Sequence, residues 1–106
     1  MKMKLNPMMM KNKQKEDNSI ERFKSIQQKG LNLYIKKNHD YGDAFSKSLD
    51  EDGLLAAKIR LKDKIRRFDA LLKSDALVDE SIEDTLLDMA NYAIMTISWL
   101  QSQKKE

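Results

Sequence analysis

Wherever this chain has a run long enough to form a secondary-structure element, its apolar residues return every three or four positions. Ile20, Phe23, Ile26, Gly30, Leu31 and Tyr34 make one series; Leu54, Leu61, Ile65, Phe68 and Leu72 a second, at steps of seven (two turns), four, three and four; and Ile82, Leu86, Met89, Ala93, Ile97 and Leu100 a third. That period lines side chains along one face of an α-helix and does not match the two-residue alternation of a strand. With no strand candidate and no internal repeat, the fold class is all-α, with three main helices in a small antiparallel bundle. The spacing predicts them over roughly residues 19–37, 54–73 and 80–103.

The breakers divide the chain accordingly. Residues 1–17 mix Lys, Asn and Met without a period around Pro7, which reads as a disordered basic tail. Asn18 followed by Glu21 is a loose capping-box start for the first helix. Gly30 falls inside that helix, where it costs about 1 kcal/mol against alanine, so close backbone packing is its expected purpose. The span from Asn38 to Gly53, with the acidic run Asp50, Glu51 and Asp52, reads as a loop of about 15 residues, a length more often functional than idle. Residues 18–106 therefore form one domain. Three helices of this size make a thin core, and a homo-oligomer is expected to complete it.

Charge excludes more than it identifies. The chain of 106 residues carries 20 Lys and Arg against 17 Asp and Glu. Five of those lysines lie in residues 1–15 with no acid among them, so the net basicity belongs to the tail and the remainder is slightly acidic. Broad binding of nucleic acid by the domain is disfavoured. Absence of cysteine removes disulfides, thiolate metal sites and thiol catalysis. No apolar run reaches the roughly 18 residues of a membrane span, and the N-terminal residues make no adequate signal-peptide core, so the chain reads as cytoplasmic.

Two charge clusters remain. Residues 58–67 carry six basic side chains against Asp63, with Arg60, Lys64 and Arg67 in one row; residues 75–92 carry six acids and no base. Glu80, Asp84, Asp88 and Asn91 share a ridge that continues into Met95 and Trp99 beside Tyr92, so that the third helix is apolar on two sides. Carboxylates at i and i+4, such as Asp84 and Asp88, suit Mg²⁺, which takes few protein ligands and completes its shell with water and phosphate. The basic row suits phosphate, and equally suits plain ion pairing with the acids. His39, the only histidine, is more often a surface or stacking residue than a general base. Tyr34, Tyr41, Phe45 and Tyr92 are candidates for base stacking, though aromatic residues at helical spacing more often fill a core.

Three strings carry a resemblance: Lys37-Asn38-His39-Asp40-Tyr41-Gly42-Asp43-Ala44-Phe45, Asp63-Lys64-Ile65-Arg66-Arg67-Phe68, and the run from Glu80 to Ile94 containing Asp84-Thr85-Leu86-Leu87-Asp88-Met89-Ala90-Asn91-Tyr92. In order and spacing they resemble the nucleotide modification associated domain 1 family, small all-α proteins of phages and bacteria whose helices are similar to those of MazG-like NTP pyrophosphohydrolases. The resemblance spans about residues 35–98. It implies a nucleotide ligand bound by Asp40, Tyr41, Gly42, Lys64, Arg67, Asn91 and Tyr92, with Asp84 and Asp88 holding Mg²⁺ or ribose hydroxyls. Gly42 would permit a tight turn beside the ligand. The MazG-like pattern also wants several acids on the first helix, where this chain, from Ile20 to Lys37, has only Glu21.

Three functions are therefore expected in descending order. The first is a nucleotide-binding protein that sequesters a nucleotide or a nucleotide-derived signal. The second is a Mg²⁺-dependent nucleotide pyrophosphohydrolase. The third is a helical interaction module presenting Tyr92, Met95 and Trp99.

Overall fold

The computed structural model describes residues 7–38, 44–73 and 79–104. They form four helices: α1 (Pro7–Lys36), α2 (Ala44–Asp52), α3 (Leu54–Lys73) and α4 (Asp79–Gln103). The all-α class holds; the expected three-helix count does not.

The extra helix lies where a long loop was expected. Phe45 and Leu49, one turn apart, are 2% and 1% exposed and anchor α2 in the core. Flanking serines and a triple acid hid this two-anchor pattern from the periodicity. Gly53 ends α2 with φ at 66°, and its N–H donates to Leu49 O at 2.7 Å. That is the left-handed helix stop that glycine adopts without a Cβ penalty. Ala56 N–H then donates to Gly53 O at 3.0 Å, so α3 begins immediately beyond the corner.

Helix α1 starts earlier than Asn18 would place it, at Pro7. Proline is tolerated at the first helical position, where its missing N–H would have no partner anyway. Of the basic tail expected over residues 1–17, the first six residues lie outside the described residues and the rest belong to the opening turns of α1.

The core joins α2, α3 and α4. Phe45, Leu49, Ala56, Ala57 and Tyr92 are buried together, with Tyr34, Leu61, Met95 and Trp99 packed against them. The two alanines let α3 approach closely at its N-terminal end. Tyr92 meets Phe45 edge to face, with centroids 4.9 Å apart and planes at 81°, a favoured aromatic geometry. Trp99 Nε1 donates to Asp50 at 3.0 Å and ties the end of α2 to α4. Tyr92, Met95 and Trp99, expected to face a partner protein, pack instead on the chain's own core.

Helix α1 meets α4 at Gly30, where a Cβ would lie 3.3 Å from Leu87 Cδ1 and 3.4 Å from Asn91 Oδ1. The close approach expected of this glycine is thus present. Much of the apolar periodicity nonetheless faces outward: Ile20, Phe23, Ile26, Leu31, Leu86, Ile94 and Ile97 are all exposed. The radius of gyration is 19.1 Å, against about 13 Å for a compact domain of this length. Among the described residues no helix is long and apolar enough to cross a membrane.

Candidate functional site

The two charge clusters meet across α3 and α4. Lys64 Nζ lies 3.1 Å from Asp88 Oδ2, with the two side chains 24% and 23% exposed. Arg67 Nε donates to Thr85 Oγ1 at 3.3 Å. A step of three residues forward on α3 is matched by three backward on α4, so the helices run antiparallel with their polar ridges in register. The periodicities of both helices force this: each turns one face to the core through Ala56, Ala57 and Tyr92, and the row beside that face has to meet its counterpart.

Tyr92 forms the floor of the cluster. Its ring carries Phe45 on one contact and lies 5.9 Å from Lys64 Nζ. Cations near an aromatic face at this range are attracted by its quadrupole, by about 0.5–1 kcal/mol where solvent is near. Lys64 is thus held by a carboxylate and by a ring. Arg67 is exposed beyond Thr85, and its planar fork suits a bidentate oxyanion.

The remaining candidates divide. Asp84, one turn before Asp88, is exposed at the rim. Asn91 faces α1: its Nδ2 donates to Gly30 O at 3.2 Å and the residue is buried, so it closes the α1–α4 crossing. Asp40, Tyr41, Gly42 and His39 lie outside the described residues. Two residues escaped the sequence reading. Thr85, buried and paired with Arg67, looked like a neutral helix position; its only signal was its place three residues before Asp88. Asp50 was read as part of a loop.

Among the described residues no group of three or more His, Cys, Asp or Glu side chains could hold a metal ion. Of the two carboxylates expected to hold Mg²⁺, Asp84 is exposed and Asp88 is paired with the Lys64 ammonium. Two carboxylates one turn apart fit a Mg²⁺ that brings most of its shell with it, and fit poorly a resident ion.

An antiparallel helix pair that sets a Lys/Arg row against an Asp/Thr row beside a tyrosine ring defines a small all-α domain with a charged, partly covered seam. The chain belongs to the family described as nucleotide modification associated domain 1, whose model matches residues 37–100. That span holds α2, α3, nearly all of α4 and every candidate residue. No curated protein and no solved structure matches the chain.

Proposed function

We propose that the protein binds a nucleotide at the α3–α4 face, with Lys64 and Arg67 on the phosphates and an aromatic ring of this region against the base. The observation that carries this reading is the Lys64–Asp88 pair over Tyr92, together with membership of a family named for a nucleotide-related role. A phosphate would replace Asp88 as the partner of Lys64 and take the exposed fork of Arg67, exchanging one charge-assisted contact for stronger, bidentate ones. Asp40, Tyr41 and Gly42 lie outside the described residues, and their part in this reading rests on the family resemblance alone.

Binding without turnover, as in sequestration of a nucleotide or nucleotide-derived signal, is the first form of this reading, and it is supported by Asp88 being engaged with Lys64. A second reading, a pyrophosphohydrolase, is favoured by one feature: Asp84 and Asp88 follow each other by one turn on α4. Mg²⁺ entering with the substrate would there neutralise phosphate charge. Because a single copy leaves so much apolar surface uncovered, we infer that the acting unit is a homo-oligomer.

Isothermal titration of the full chain against mono-, tri- and cyclic nucleotides tests the proposal. Heat with at least one of them, lost in Lys64→Met, is expected; no heat with any member contradicts it. Pyrophosphate release that vanishes in Asp88→Ala would replace the binding reading with the enzymatic one.

A further inference from the structure

Between α1 and α4 runs an apolar groove of about 660 Å³ lined by Phe23, Ile26, Leu31, Leu87 and Ile94 among others. Phe23 is 64% exposed and Ile94 61%. We propose that this groove seats a second copy of the chain, paired about a two-fold axis so that α1 of each copy lies on α4 of the other. This rests on the reading of the protein as a homo-oligomer and not on the identity of its ligand.

Surface area argues for an occupant of this size. The chain exposes 8872 Å², whereas a compact monomer of 12.4 kDa exposes roughly 6,100 Å² by the usual scaling with mass. The excess is several times the roughly 800 Å² per partner that a standard interface covers. A small ligand does not remove it.

Charge argues that the occupant is the chain itself. Over residues 18–36 α1 holds four basic residues against Glu21, while α4 holds no base, and with Asp88 paired to Lys64 on the α3 face its groove-side acid is Glu83. Two copies arranged α1 on α1 would oppose like charges; α1 on the partner's α4 opposes unlike ones at the rim while the apolar faces close between them. On α4, Glu83 falls one turn before Leu87 on the groove side; on α1, Lys24 falls one turn after Ile20 on the open apolar face, and both charges are exposed. A two-fold pair of α1–α4 units is a four-helix bundle, in which an isologous interface buries the same groove twice. Lys64 and Asp88 are not among the residues that line the groove.

The chain has no native cysteine, which allows a direct test. Full-length Phe23→Cys protein is mixed with mass-tagged Ile94→Cys protein and oxidised, with an Ile65→Cys mixture on exposed α3 as the control. Light scattering of the wild type and of Ile94→Lys, with helicity followed by circular dichroism, is measured alongside. The expected results are a wild-type dimer, a disulfide between the Phe23→Cys and Ile94→Cys chains and not in the control, and an Ile94→Lys chain that stays helical but dissociates about a hundredfold more readily. A wild-type monomer at 100 µM would overturn both the interface and the oligomeric reading. A dimer that crosslinks through the α3 control and not through the groove overturns the interface alone. Should Ile94→Lys fail to fold, the crosslink decides.

Discussion

Lys64 and Asp88 are joined by a 3.1 Å ion pair that is about three-quarters covered on each side. Breaking a covered pair from one side strands the other charge. Lys64→Met should lower unfolding free energy by about 1–3 kcal/mol in urea titrations, between the values for exposed and fully buried pairs. Lys64→Met combined with Asp88→Leu should recover most of that loss, because neither charge is then stranded.

The same pair separates the two functional readings. If a phosphate competes with Asp88 for Lys64, Asp88→Asn should leave nucleotide affinity unchanged or raise it severalfold in calorimetry, while Lys64→Met lowers it at least tenfold. If Asp88 carries a metal for hydrolysis, Asp88→Asn should abolish turnover instead.

Thr85 accepts from Arg67 at the next step of the ladder. Thr85→Val keeps the shape and removes the acceptor, and should cost about 0.5–1.5 kcal/mol in thermal or urea unfolding. Arg67→Lys keeps the charge and removes the fork. It should weaken a polyphosphate more than a nucleoside, as judged by comparing the two in one titration series.

Gly53 stands at φ 66° with open space where a Cβ would go. Gly53→Ala should therefore destabilise through backbone strain alone, by about 1–2 kcal/mol, and Gly53→Asn by less. Trp99, tied to Asp50 across the same corner, provides the fluorescence signal for the unfolding curves.

Gly30 has a different reason for being glycine. A Cβ there would press on Leu87 and on Asn91, the residue that bonds back to Gly30 O. Gly30→Ala gains about 1 kcal/mol of helix propensity against that crowding, so little net change is expected. Gly30→Leu, by contrast, should separate α1 from α4 and be read as a large fall in the unfolding midpoint.

Much of this arrangement was legible in the residues. The bounds of α3 and α4 follow from their apolar period, and the opposition of basic and acidic helices follows from where the charges cluster. Gly30 signalled close packing before any partner was visible. What stayed hidden has physical causes. α2 is only nine residues long and signals itself through two anchors, too few to make a period. Pro7 looks like a breaker yet is compatible with a helix's first position. The ridge of α4 that carries the acids also carries Tyr92 and Trp99, and these bury it, whereas the cleaner stripe through Leu86 and Ile97 faces outward. Amphipathic spacing tells which residues share a face; it does not tell which of two apolar faces a single chain can cover. Asn91, a ligand residue by the family resemblance, is turned by the helix toward α1, where it bonds to Gly30 O.

The central claim is that the charged face between α3 and α4 receives the phosphates of a nucleotide. A crystal structure of the full chain soaked with nucleotide and Mg²⁺ tests it most directly. The account predicts ligand density with phosphate oxygens within hydrogen-bond distance of Lys64 Nζ and the Arg67 guanidinium, and the Lys64–Asp88 contact opened. Nucleotide bound elsewhere, with that ion pair intact, would contradict it.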